Sequence, residues 1–329
     1  MNISMNRRQA IAAAAVGIGG IGGAGNALAA AFQKGRPITI IYPYAAGSAS
    51  DLLARQIAEV LSHALGNPVI VESKPGAGGA MGLEYVTRAP ADGHTLVLSA
   101  SGTMSVNPHI YKLRYSPVDD LVPLSILAEI PFIAVTRPGF PAKNLKEFIA
   151  QAKARPGQIT FANAGLGTQA HLTQVMFMKA AGIEANIVAY RGGVTMVTDL
   201  MGGHIDAAFD NAAAQVANVN AQKVRPLFVT SGSRLQTMPQ VPTAEEAGLP
   251  GFSASGWFGL AAPKGTPQEL VDKISQIVAA ALKQPEFRKK LLEAGWIPVG
   301  STPAEAAARA RADLSRFGVI AHQLGIQPN

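Results

Sequence analysis

Asn163-Ala164-Gly165-Leu166-Gly167-Thr168-Gln169-Ala170-His171 follows the apolar, β-branched run Ile159-Thr160-Phe161 and leads into a segment with helical periodicity. Far upstream, Tyr44-Ala45-Ala46-Gly47-Ser48-Ala49-Ser50-Asp51 stands in the same relation to Thr39-Ile40-Ile41 and to the helical pattern behind it. A strand that turns through glycines and small hydroxyl residues into a helix leaves backbone N–H groups without helical partners. The positive end of the helix dipole lies at the same place. Each loop is therefore a candidate anion site. Two such sites, over a hundred residues apart, point to two lobes that offer amides to opposite ends of one small acid.

The pattern around these loops is α/β. Strand candidates are Ile38–Tyr42, Val69–Glu72, Thr95–Ser99, Phe132–Thr136, Ile159–Ala162, Asn186–Tyr190, Ile205–Asp210, Arg225–Thr230 and Trp257–Ala261. Between several of them the spacing predicts amphipathic helices. Asp51–Leu65 places Leu53, Ile57, Val60, Leu61 and Ala64 on one face, and Gln268–Leu282 does the same with Leu270, Ile274, Ile277, Val278 and Ala281. Asn144-x-x-Glu147 reads as a capping box, while Thr266-Pro267-x-Glu269 and Thr302-Pro303-x-Glu305 add proline at the first helical position. Alternation of this kind predicts mainly parallel sheets flanked by helices, with ligands beyond the carboxyl ends of the strands. Proline and glycine punctuate the pattern at 128–131 and 247–255. A lobe inserted between them, 132–251, would leave a first lobe made of 30–131 completed by 252–329.

A chain of 329 residues with 48% apolar and 15% charged residues is expected to form a well-packed globule of two domains. It has no cysteine, which removes disulfides and thiolate metal sites. Arg7 and Arg8 precede an uncharged stretch from Gln9 to Gln33, and Ala27-Leu28-Ala29 is a small-x-small cleavage pattern. Residues 1–29 therefore read as a cleaved export signal, with part of a twin-arginine motif at Asn6–Ile11, and the mature chain is expected in the periplasm. Removing the two arginines from the 28 basic residues leaves +5 against 21 acidic ones. That charge is dispersed. The densest run, Arg288-Lys289-Lys290, reads as a solvated helix face, and without an aromatic-interleaved basic stripe no nucleic-acid partner is expected.

Competing motifs fail on their own chemistry. Gly165-x-Gly167-x-x-Ala170 satisfies a dinucleotide fingerprint formally, but Glu184 lies before the next strand candidate rather than at its end. Lys74–Gly79 lacks the Gly-Lys-Ser/Thr ending of a phosphate loop and reads as a plain turn. His63, His94, His109, His171, His204 and His322 form no i, i+4 pair and have no acidic cluster, so neither metal nor other cofactor is expected. A Gly-x-Ser-x-Gly elbow is missing, which leaves a secreted hydrolase as the weaker alternative.

The ordered landmarks resemble the Bug family, the substrate-binding receptors of tripartite tricarboxylate transporters. They include Ser50-Asp51, Gly66–Glu72, Lys74–Gly79, Asp92-Gly93-His94, Ser101-Gly102-Thr103, Asn107-Pro108, the loop from Ala164 to His171, Tyr190-Arg191-Gly192, Val241–Gly248 and Trp257-Phe258-Gly259. The resemblance runs from about Pro37 to Gly325. It implies a periplasmic-binding-protein fold, two α/β lobes that close on a ligand by hinge motion. It also implies that a carboxylate is held mostly by amides, hydroxyls and bridging waters.

Carried over by position, the first loop supplies Tyr44, Ala46, Gly47, Ser48, Ala49 and Asp51. The second supplies Ala164, Gly165, Gly167, Thr168 and His171. Ser101, Thr103, Tyr190 and Asp210 are expected to border the cleft. Where relatives read Pro-Gly-Gly, this chain has Ala46-Gly47-Ser48, which adds a hydroxyl and changes the path open to the loop.

Several of these residues have a structural reading beside the functional one. Asp51 sits where a helix dipole favours a carboxylate, and direct contact with an anion would be repulsive, so it reads as structural or water-orienting. His171 is either an ordering residue behind the second loop or a packed histidine. Asp210, at a strand end, either caps the next helix or receives a ligand amine. Trp257-Phe258 reads as core packing where the chain crosses between lobes. The expected partners are a small carboxylate, amino-acid or amide ligand and inner-membrane transporter subunits, with the receptor itself a monomer. A sensor or docking protein built on the same fold is the other alternative.

Overall fold

The computed structural model describes residues 35–44, 46–47, 49–165, 168–190 and 193–326. The expected export signal lies outside them, as do Ser48 and Gly167. Strand β1 (Ile38–Tyr42) is the centre of a parallel trio with β2 (Val69–Ser73) and β3 (Thr95–Ala100). A second parallel trio consists of β5 (Thr160–Asn163), β6 (Asn186–Ala189) and β7 (Ala207–Asn211). The intervening helices are α1 (Ala49–Leu65) and α2 (Ala80–Thr87) in the first trio, and α4 (Gln169–Ala181) and α5 (Gly193–Met201) in the second, after α3 (Leu145–Ala154).

Around these parallel trios, which follow the expected α/β pattern, the remaining strand pairs are antiparallel. β4 (Leu121–Thr136) is a single strand that serves both halves. Its Leu121–Pro131 portion pairs with β9 (Ser255–Pro263), which continues onto β3. From Phe132 onward it pairs with β7 and with β8 (Arg225–Val229). The parallel strands belong to βαβ units, whose crossovers bring the chain back in the same direction. β4 and β9 instead carry the chain between the halves and meet their neighbours head to tail. The first half of β4 escapes a pattern search because Pro123, Glu129 and Pro131 interrupt the apolar alternation. Irregular register at Pro123/Ser125 and Ile126/Ala128 accommodates these breaks.

Each sheet is covered on both faces, as strands of this composition require. Ile38 and Ile40 of β1 pack with Leu53, Ile57 and Leu61 of α1 and with Leu270 and Ile274 of α7 (Gln268–Lys283). Ile41 points the other way, toward Leu83 and Val86 of α2 and Ala306 of α9 (Pro303–Gln323). In the second half the corresponding core is aromatic. Phe161, Phe177, Phe209 and Phe228 are fully buried, and Phe161 meets Phe177 edge to face with centroids 6.0 Å apart. Late in the chain, α6 (Ala212–Asn220), α8 (Pro285–Glu293) and the short β10 (Ile297–Pro298) complete the elements. Helix α9 also ties the halves together, since its Phe317 and Ile320 pack with Leu172 of α4.

Two helix starts follow the sequence reading and one does not. Thr302 and Glu305 form a full capping box with Pro303 in the first turn, and Asn144 caps α3 by accepting the Glu147 N–H at 2.9 Å. Pro267, however, stands before α7 in an extended conformation, and the Thr266 hydroxyl donates back to the Pro263 carbonyl instead of capping.

Candidate functional site

The two helix-start loops lie beyond the carboxyl ends of β1 and β5, and different chemistry holds each of them. In the first, the Gly47 N–H donates to the Asp51 carboxylate at 2.9 Å, and Arg55 pairs with Asp51 one helical turn later at 3.2 Å. Asp51 is buried, so its charge is spent within the loop. The Tyr42 hydroxyl and Ser50 Oγ are 2.8 Å apart at the mouth of α1. Gly79, in a left-handed conformation, supports the loop from behind: a Cβ there would lie 2.7 Å from the Thr103 methyl and 3.2 Å from the Tyr44 ring.

The second loop is held by uncharged groups. The Asn163 carboxamide accepts the Gly165 N–H at 2.9 Å and donates to Gln174 Oε1 at 2.8 Å, and Gln174 in turn donates to the Phe161 carbonyl at 2.9 Å. Asn163 and Gln174 are wholly buried, where an unmet amide would be costly. Thr168 caps α4: its Oγ1 accepts the His171 N–H at 3.2 Å and donates to the Gly165 carbonyl at 2.8 Å. Burial of His171 pushes its imidazole below the usual range, favouring the neutral form.

Between the loops is a cleft of about 510 Å³. Tyr42, Tyr44, Ser50, Ser101 and Gly102 face it from the first half, and Ala164, Thr168, Gln169, Asp210 and Asn211 from the second. Ile130, Phe132, Trp257 and Phe258 form its floor, where β4 and β9 cross. Asp210 is the charged side chain of this wall among the described residues. Its carboxylate accepts the Asn211 N–H and Gln215 Nε2, each at 2.8 Å, yet burial outweighs these bonds and raises its pKa above the usual carboxylate value. Burial and the adjacent Tyr42 likewise raise the Tyr44 phenol. The floor is fixed from below. Trp257 Nε1 donates to Asp313 at 2.9 Å, and Arg309 reaches Asp313, Glu129 of β4 and the Ser255 carbonyl of β9 at 3.0–3.1 Å.

The family model described as tripartite tricarboxylate transporter family receptor matches residues 53–326. The chain belongs to this family. Protein BugT of Bordetella pertussis (strain Tohama I) is 35% identical over 295 residues, 88% of this chain and 90% of BugT. The solved structure of R. palustris Rpa4515 with adipate is 32% identical, with a TM-score of 0.76 over 89% of this chain and 99% of that one. MatC from Rhodopseudomonas palustris with bound malate is 31% identical, with a TM-score of 0.71 over 87% of this chain and 99% of that one. The Bug-type resemblance and the periplasmic-binding-protein fold are thus as the sequence led us to expect, and the chain is a solute-binding receptor of this transporter family.

The receptor's cleft brings together Tyr44, Ser101, Ala164, Thr168 and Asp210 from the expected set. Ser48 and Gly167 lie outside the described residues. Ala49 opens α1, while Ala46 and Gly47 are exposed on the loop, with the Gly47 N–H given to Asp51. Thr103 is buried beneath the cleft and bonds the Ala100 backbone in both directions. Gly165 and His171 sit behind the lining. Tyr190 is turned away: its hydroxyl donates to Asp199 at 2.6 Å, and its phenol is pushed up to about 12, first by burial and then by that carboxylate. Sequence reasoning passed over Gln169, Ile130, Phe132 and Asn211, and gave Trp257 and Phe258 to the core. Trp257 is in fact both buried and part of the floor. For Ile130, Phe132, Trp257 and Phe258 the available signal was position, in or beside the two punctuated segments where the chain crosses, whereas Gln169 opens α4 and Asn211 ends β7 just before α6.

Proposed function

We propose that this receptor captures a small carboxylate or related amide between 30–131 with 252–329 on one side and 132–251 on the other. It then delivers the ligand to inner-membrane subunits of a tripartite tricarboxylate transporter. The observation that carries this reading is the cleft itself, faced from opposite halves by two helix-start loops. Adipate and malate in the related structures support an organic acid as ligand. Export by the 1–29 segment would place the receptor in the periplasm as a monomer, and no helix among the described residues is long and apolar enough to cross a membrane. Ligand contact with both loops would select the closed arrangement. Gln169 at the start of α4 already accepts a hydrogen bond from Ser101 of the other half, which marks the path of closure.

No covalent step is part of this reading. Among the described residues, Ser101 Oγ donates to Gln169, the Tyr42 and Ser50 hydroxyls meet each other, and Thr168 Oγ1 donates to the Gly165 carbonyl, which supports binding over hydrolysis. A thermal-shift screen of the mature chain against carboxylates and their amides tests the proposal. A ligand at a hundred times its Kd adds about 2.7 kcal/mol of stability. Gly167→Val should abolish the shift while unfolding stays cooperative, and normal affinity in that variant would remove the second loop from the site.

A further inference from the structure

The cleft has an uneven charge balance. Among the described residues the starts of α1, α4, α5 and α6 border it, each equivalent to about half a positive charge. Asp51 offsets the α1 start and Asp210 stands beside those of α5 and α6, so among the described residues the α4 start is the one left without a carboxylate of its own, a place for one ligand carboxylate. No lysine, arginine or histidine stands among the described lining residues, whereas Asp210 presents a carboxylate. Each Asp210 oxygen accepts one hydrogen bond from its own lobe and keeps a further lone pair. Among the described residues the backbone at the start of α5 also stands beside it, where a Cβ on Gly193 would lie 3.7 Å from Oδ2. A second ligand carboxylate placed here would meet a like charge in a poorly solvated wall. A ligand N–H would meet an acceptor oriented by Asn211 and Gln215.

We propose that Asp210 makes this cleft select acids that carry one carboxylate and, at the other end, an amide or ammonium nitrogen, in preference to dicarboxylates. This rests on the reading of the cleft as the ligand site. The carboxylate lies at the start of α4, the apolar body lies on Phe132, Trp257 and Phe258, and the nitrogen donates to Asp210.

The test is calorimetric titration with matched sets sharing one carbon skeleton: a diacid, its monoamide and its ω-amino acid, from the succinate to the suberate length and on a benzene ring. In the skeleton that binds best, the monoamide or the amino acid should bind at least about tenfold tighter than the diacid. Asp210→Asn should erase that preference, bringing the diacid within about threefold of its monoamide, about 0.6 kcal/mol, with unfolding still cooperative. A diacid that binds the wild type as well as its nitrogen analogues overturns the inference and leaves the receptor reading standing. A preference that survives in Asp210→Asn also overturns it. Failure of every set to bind overturns the receptor-site reading itself, and this inference with it. Arg191 precedes α5 in the sequence. Loss of the preference in Arg191→Ala but not in Asp210→Asn would assign the selectivity to that arginine instead.

Discussion

The two loops that face the cleft have the same outline and opposite construction. The first is fastened by charge, with a buried aspartate that takes a backbone amide from the loop and an arginine from the next helical turn. The second is fastened by a chain of carboxamides running from Gly165 through Asn163 and Gln174 to the Phe161 carbonyl. A carboxylate at the start of a helix stabilises that helix but offsets part of the positive potential an anion would seek. Neutral amides fix a loop without that penalty. The second loop is therefore expected to be the stronger grip on a negative ligand, and the first to serve more as a shaped wall.

The largest effect should come from Asn163→Leu. It takes the acceptor from the Gly165 N–H and the donor from the buried Gln174 Oε1, a loss of about 2–3 kcal/mol in denaturant unfolding, and ligand binding should vanish with the loop's geometry. Stability and affinity close to those of the wild type would remove the contrast between the loops. A smaller effect is expected from Asp51→Asn. The variant keeps an acceptor for Gly47 but loses the ion pair with half-exposed Arg55, so it should unfold within about 1 kcal/mol of the parent. Carboxylate affinity should hold or rise, by less than about tenfold. If titration showed binding abolished, Asp51 would have to touch the ligand.

The smallest effects concern pH, and they run in opposite directions. Asp210 has a raised pKa in the folded chain, so its contribution to stability is lost as pH rises above the ordinary value of 3.8. The stability of Asp210→Asn relative to the wild type should accordingly grow with pH from there, as followed by chemical unfolding. His171 has a lowered pKa, so the folded chain loses stability as pH falls below 6.5. His171→Gln should flatten that part of the profile. A profile identical to that of the wild type would mean that burial does not hold the imidazole neutral.

Much of this architecture was legible in the chain. Both loops stand where the transition from strand pattern to helix pattern puts them, because that transition is a local event. Thr302 and Glu305 close their capping box for the same reason. What escaped were contacts made across long stretches of sequence. Gln169 gives no local sign that it will meet Ser101, and the orientation of Tyr190 depends on Asp199 one helix later. The first half of β4 was hidden by its prolines, although the pairing with β9 makes it a strand. The aromatic floor was read as packing because a buried tryptophan looks the same in sequence whether or not one of its faces borders a cavity.

The pairing of β3 with β9 also constrains how this molecule is made. On the edge away from β1, Val97–Ala100 finds its neighbour in Phe258–Ala261, which leave the ribosome long afterward. Until then the sheet of the opening segment ends in an uncovered edge, and β4 has half of its length without a mate. The intervening part, by contrast, has its own strands and its phenylalanine core early. Biogenesis thus reverses the order of the gene: the segment made first is the last to be finished, and truncation anywhere before Ser255 strands it.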